Sequence, residues 1–405
     1  MRASIKGLII TAAFIGPGTV TTATVVGSQT AYALIWLLLF AVVATYILQE
    51  MASRLGTVSG LGLSQAIMTS LRNPILKIIV IVLIVLAIGV GNAAYEGGNL
   101  TGAALGMQAS FGSTIQYWTL ILGGSAFALI LIGHYKLVEK CLILLVVLMS
   151  IVFIAMMFVV GIETDLLTQG ILVKNSILSQ ASLALAIVGT TIVPYNLFLH
   201  SGLSAQDTVN KRRLVGPNYI TDKSELAAQN AQLFTAIGLG GLVTFAIMSS
   251  SVTAFFVTQT EVDVSNLAKQ LQPLLGDQAG MFFGIGLFCA GLTSAITAPL
   301  AAAYAISGLF GFRPELADKR FKFIALLIVV VGVVVASLGI KPIALIIMAQ
   351  ASNAILLPIS VILLIWVCNK EDLVGEHKNG LIKNILAIFI VMVVIGLSVF
   401  KFVDI

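Results

Sequence analysis

Apolar runs of membrane-spanning length recur along the whole chain, and this repetition restricts the fold more than any single motif. A bilayer core is crossed by about 20 consecutive apolar residues in helical form. Runs of that kind fall at 7–31, 34–52, 75–99, 117–133, 139–161, 180–201, 228–256, 279–310, 321–339, 342–368 and 381–402. Of the 405 residues, 59% are hydrophobic and 10% charged, and mean hydropathy is +1.08. A soluble core cannot enclose that much apolar surface, since soluble domains carry about 25% charged residues. The expected fold class is therefore an all-α polytopic membrane protein of eleven helices, one transmembrane domain over 1–405.

Charge placement tests that count. With the N-terminus in the cytoplasm, eighteen of the 22 Lys and Arg residues fall on the inner side. Only Lys174, Lys269, Lys341 and Lys401 fall outside. An excess of this kind is the positive-inside signature, and a wrong number of spans would scramble it. It predicts an inner-membrane protein with its C-terminus outside. The net charge of +5 sets topology and forms no nucleic-acid face. Cys141, Cys289 and Cys368 are scattered, so neither a disulfide framework nor a bound metal cofactor is indicated. The longest connections are expected at 202–227 and 257–278.

Two spans are interrupted at mid-depth. The first reads Gly16-Pro17-Gly18-Thr19, followed by Thr21, Thr22 and Thr24. The sixth reads Gly189-Thr190-Thr191-Ile192-Val193-Pro194-Tyr195-Asn196. Proline removes an N–H donor and glycine loosens the helix. One kink would be ordinary, whereas two at matching places point to an inverted-repeat transporter with its site between the breaks. The repeats would cover roughly 7–161 and 180–368, with 381–402 as an extra helix. The bland alternative for each threonine is a hydroxyl bonded to its own preceding turn.

Other intramembrane polar residues extend the candidate site. Asn92, Glu96 and Asn99 share one face of the third span. An ionisable group at that depth faces a cavity or a partner, so Glu96 is the candidate coupling residue, with Asn99 and His200 beside it. A neutral glutamate packing the bundle is the plainer reading. Gln350, Ser352 and Asn353 form a polar patch in the tenth span. Glu50 and Arg54, one turn apart, read as a structural pair. No GxSxG, HExxH or paired intramembrane aspartates occur, which disfavours an enzyme.

At these residues the chain resembles the Nramp family of divalent-metal transporters, which have the LeuT-type fold of 5+5 inverted repeats with broken helices 1 and 6. The stretch from Gly16-Pro17-Gly18-Thr19 to Arg54-Leu55-Gly56-Thr57-Val58-Ser59-Gly60 looks like the family's DPGN helix and RLG loop. Val193-Pro194-Tyr195-Asn196-Leu197-Phe198-Leu199-His200-Ser201 looks like its MPHNLYLHS signature. The resemblance implies metal ligands at Gly16, Thr19, Thr190 and Val193, and there the carboxylate and the thioether are both missing. Glu96 and Asn99 stand where the family has Asp and Glu, and Tyr195 where it has His.

Dehydrating a divalent ion is costly, and the candidate site offers hydroxyls and helix N-termini without charge. The expected cargo is accordingly a small organic solute with a carboxylate, held by Gly16, Gly18, Thr19, Thr22, Thr190, Val193, Tyr195, Asn196, Gln350 and Asn353, with a proton or sodium ion as coupling partner. A divalent cation, magnesium or manganese, is the second reading, because magnesium binds with several waters retained. A membrane receptor that has lost its cargo is the third.

Overall fold

The computed structural model describes residues 15–133, 136–172, 180–216 and 222–403. The described residues are helical throughout, with short connections. In chain order the helices are α1 (Pro17–Thr30), α2 (Ile35–Ser59), α3 (Leu63–Ser70), α4 (Pro74–Phe111), α5 (Ile115–Ile132), α6 (Lys136–Val160) and α7 (Thr164–Leu172). They continue as α8 (Ala181–Thr191), α9 (Pro194–Val215), α10 (Lys223–Ser251), α11 (Ala279–Phe310), α12 (Lys319–Ala336), α13 (Pro342–Cys368) and α14 (Leu381–Val403). Among the described residues, nine helical stretches are long and apolar enough to cross a membrane. The two expected spans outside that set are the first, of which residues 7–14 lie outside the described residues, and the ninth. The ninth is the 18-residue α12, which opens on Lys319, Arg320 and Lys322.

Several helices outrun their apolar runs. The second continues to Ser59 rather than 52, the third to Phe111 rather than 99, and the sixth to Val215 rather than 201. The added turns of the second helix are buried as far as Thr57, whereas the third and sixth end on the exposed Phe111, Leu214 and Val215. The 202–227 segment is therefore mostly helix. The segment after α10 holds a short 3-10 turn at Leu267–Leu271, whose Gln270 is buried and donates to Thr24 Oγ1 at 3.0 Å.

Lipid tails are as apolar as leucine, so helices in a bilayer associate through close packing and hydrogen bonds. The α2–α9 pair shows this. A Cβ on Gly56 would lie 2.1 Å from the Ser201 carbonyl oxygen, so only glycine permits that approach. Ser53 and Ser204 hydroxyls meet at 3.3 Å, and Thr208 donates to the Thr57 carbonyl at 2.9 Å. In the α4–α11 pair, Asn92 Nδ2 donates to the Ala298 carbonyl at 3.0 Å. The first half of α4 instead presents Ile75, Ile78 and Val82 outward, as a lipid-facing surface does.

Candidate functional site

The two expected interruptions come together in the core. Gly16 is extended (φ −91°, ψ 175°), and α1 starts at Pro17, with the Thr19 and Val20 N–H groups closing on the Gly16 carbonyl. Helix starts at Pro17, so Gly18 and Thr19 lie inside α1, and the part of the first span before residue 15 lies outside the described residues. In the sixth span α8 ends at Thr191, Ile192 and Val193 are non-helical, and α9 restarts at Pro194. Proline suits that first position because its missing N–H would have had no helical partner.

The breaks touch through Thr19 Oγ1 and Thr190 Oγ1, 3.1 Å apart and buried. Gln350 of α13, fully buried, meets both: a Cβ on Gly18 would fall 1.9 Å from its side-chain Nε2, and one on Gly189 would fall 1.9 Å from its backbone carbonyl oxygen. Neither amide atom of Gln350 closes a hydrogen bond. The Asn353 Nδ2 and the hydroxyls of Thr21 and Thr22 are likewise buried without partners. Thr30, Thr45 and Thr191 do bond back to their own turn, as the bland reading expects. Unpaired buried polar atoms cost about 1–3 kcal/mol each; these belong to the segments that meet at the breaks, and others lie elsewhere in the bundle, at Tyr32, Ser64, Thr119 and Ser360.

Two site residues escaped the sequence reading, Tyr95 on α4 and Ser294 on α11. A Cβ on Gly16 would lie 3.0 Å from Ser294 Oγ and 3.9 Å from the Tyr95 hydroxyl. The Tyr95 and Tyr195 rings pack at 5.5 Å between centroids, tilted by 59°. Tyr95 lies three residues after Asn92 and one before Glu96 and resembles ordinary aromatic core, so no sequence signal separated it.

The coupling candidates lie on separate helix interfaces. Glu96 is fully buried. Its Oε2 accepts from Asn99 Nδ2 at 3.3 Å, its Oε1 has no partner, and its stem packs against Gly332 of α12. His200 lies on the α9 face toward α2, with Nδ1 2.8 Å from Gln49 Oε1. Val193 and Asn196 are buried beside the second break, and the Asn196 N–H closes on the Val193 carbonyl at 3.2 Å.

Cavities flank this level on both sides. One of about 470 Å³ runs between the start of α3, α9 and α11, from Phe198 to the exposed Arg213 and Arg313. Two more, of about 600 and 580 Å³, lie around the ends of α10 and the 257–278 segment. Between them the residues joining the breaks are buried, so the structure represents a closed state.

A bundle of long apolar helices around a buried polar constellation, with cavities on either side, has the form of a membrane transporter. Sequence and structure comparison identifies the group. The profile of the family described as Natural resistance-associated macrophage protein-like, Nramp, matches residues 7–404, and the chain belongs to that family. A divalent metal cation transporter MntH of Acidiphilium cryptum is 25% identical over 401 residues, covering 97% of this chain and 88% of its own. The MntH of Nostoc sp. is 28% identical over 403 residues, with 97% and 88% covered. A manganese transporter of Eremococcus coleocola superposes with a TM-score of 0.74 at 22% identity, over 98% of this chain and 85% of that one. Family membership makes this chain a secondary transporter and not an enzyme.

The same findings overturn the organic solute as cargo, because relatives aligned from end to end are divalent metal cation transporters. The physical reason lies in the breaks. Only their N-termini entered the argument for an anion, but a broken helix also exposes a C-terminal end. At α8 the Gly189–Ile192 end contributes carbonyl dipoles, which favour a cation.

Proposed function

We propose that the chain carries a divalent cation, magnesium or manganese, by alternating access, with selectivity altered from that of its relatives. The full-length match to divalent metal cation transporters carries this reading, and the contact between Thr19 and Thr190 supports a cargo site there. The candidate donors are the hydroxyls of Thr19 and Thr190, the carbonyl end of α8, and the side-chain oxygens of Gln350 and Asn353. All are hard and neutral. Soft metals gain nothing there because Val193 supplies no thioether. A hard ion that keeps part of its water shell loses least, and closure of the bundle would seat it only after α1 and α9 have moved.

The architecture supporting this cycle is a 5+5 inverted repeat over 7–161 and 180–368, with the N-terminus cytoplasmic and the helix at 381–402 outside the repeat. The charge asymmetry along the sequence supports that orientation. Glu96, with Asn99, is the proposed proton-coupling residue, since it is a fully buried carboxyl on the helix that carries Tyr95. His200 is the second candidate, and sodium is the alternative co-ion.

The test is uptake into proteoliposomes, read with internal metal-sensitive dyes at a range of external MgCl₂ and MnCl₂. Saturable entry of at least one ion is expected. Gly16→Asp, which restores a carboxylate beside Ser294 and Tyr95, should tighten manganese binding by at least about tenfold. Proteoliposomes that admit neither ion above the protein-free background would end this reading.

A further inference from the structure

Position 16 is where the resemblance implies a charged ligand and the chain has none. The surrounding space is not vacant. Two hydroxyls from unbroken helices face it, Ser294 Oγ at 3.0 Å and Tyr95 at 3.9 Å from where a Cβ would stand. We infer that Tyr95 is a cargo-contacting residue whose phenol oxygen takes over the place left by Gly16 and sets which cations the site accepts. The inference rests on the divalent-cation reading and adds to it a ligand oxygen from α4.

Geometry restricts what the phenol can do. Its ring packs on Tyr195, the residue after Pro194 in the second break, with centroids 5.5 Å apart. Its hydroxyl lies within hydrogen-bonding reach of Tyr195 and of Gln350, the side chain that covers Gly18. Tyr95 thus stands between the Gly16 break and the Tyr195 break, near the amide that spans them. It is 4% exposed, so water does not claim the hydroxyl in this closed state.

The supporting helix gives the position its meaning. Helix α4 is held to α11 three residues earlier, where Asn92 donates to the Ala298 carbonyl, and Ser294 lies on the same α11. The other site groups are carried by α1, α8 and α9, the segments that end or begin at the breaks, and by α13, which brings Gln350 and Asn353. Tyr95 and Ser294 are therefore fixed oxygens against which the moving helices close. A phenol hydroxyl is a hard, neutral donor. It coordinates an oxygen-seeking ion or accepts from one of the ion's waters, and it gives no advantage to a thiophilic metal.

The test uses the full chain in lipid nanodiscs, titrated calorimetrically with MgCl₂ and with MnCl₂. Tyr95→Phe removes one oxygen and keeps the ring on Tyr195. Its dissociation constant for the preferred ion should rise about fivefold to tenfold, the worth of one hydrogen bond or neutral ligand. Tyr304→Phe, on the flanking cavity, should leave that constant unchanged. Equal affinities for wild type and Tyr95→Phe overturn the inference while leaving the divalent-cation reading intact. A wild type that binds neither ion overturns both. Should Tyr95→Phe fail to fold, tyrosine-sensitised terbium emission from the wild type, competed away by MgCl₂, is expected. Its absence overturns the assignment.

Discussion

Two regions of this protein bury comparable polarity and treat it in opposite ways. At the basic end, Glu50 and Arg54 are 6% and 7% exposed, and every charge has a partner. Glu50 Oε1 accepts from Arg54 Nε at 3.0 Å and Oε2 from Lys383 Nζ at 2.9 Å. Arg54 also donates to Asn379 Oδ1 at 2.6 Å and to the His377 carbonyl. The cluster ties α2 to the start of α14 and to the segment before it. Between the helix breaks, by contrast, Gln350, Asn353, Thr21 and Thr22 have no bonds to spend themselves on. Full satisfaction identifies structure, and deliberate deficiency identifies the place where something else must bind.

Substitutions can break that contrast, beginning with the largest effect. Arg54→Ala should destabilise the purified protein by about 3 kcal/mol, because it strands a buried carboxylate with only the half-exposed Lys383. Denaturation in detergent reads this, and an unchanged midpoint would mean the cluster is ornamental. Gly189→Leu should cost about 2 kcal/mol and abolish uptake, since its Cβ meets the Gln350 carbonyl oxygen and drives α8 off α13.

Gln350→Leu sharpens the comparison because its two readouts should diverge. Removing two unpartnered buried atoms should leave stability level or raise it by about 1 kcal/mol, while ion uptake is lost. A variant that loses both together would place Gln350 among the packing residues. The smallest effect is at the hydroxyl contact. Thr19→Val should cost about 1 kcal/mol by orphaning Thr190, and adding Thr190→Val should recover most of it. A double-mutant cycle on thermal unfolding measures that coupling.

Much of this was readable in advance. The spans, the second break at Pro194 and the pair Glu50–Arg54 follow from local properties: apolar run length, an absent N–H, and a one-turn spacing. The break of the first span was expected at 16–19, whereas α1 already starts at Pro17, because the Thr19 and Val20 N–H groups close on the Gly16 carbonyl. Lys383 joining Glu50 was not legible, as nothing local brings residues 333 positions apart together. Tyr95 was missed for the same reason.

The error over cargo has a different origin. Thr19, Thr190 and Gly16 were correctly seen to lack charge, and from that lack an anionic solute was inferred. Ligand chemistry depends on which ends of the broken helices face the cavity, and a linear reading of Gly-Pro and Val-Pro does not show this.

The sequence by itself determined a helical membrane bundle, because apolar length and backbone hydrogen bonding in lipid leave a chain like this no other solution. It determined too that the sixth span is interrupted before Pro194, because proline acts on its own backbone. Only the tertiary structure decided that Thr19 meets Thr190, that Tyr95 and Ser294 stand at the empty position 16, and that Gln350 is left unpaired between them. Those relations join residues from five helices, and close packing, not local preference, brings them into contact.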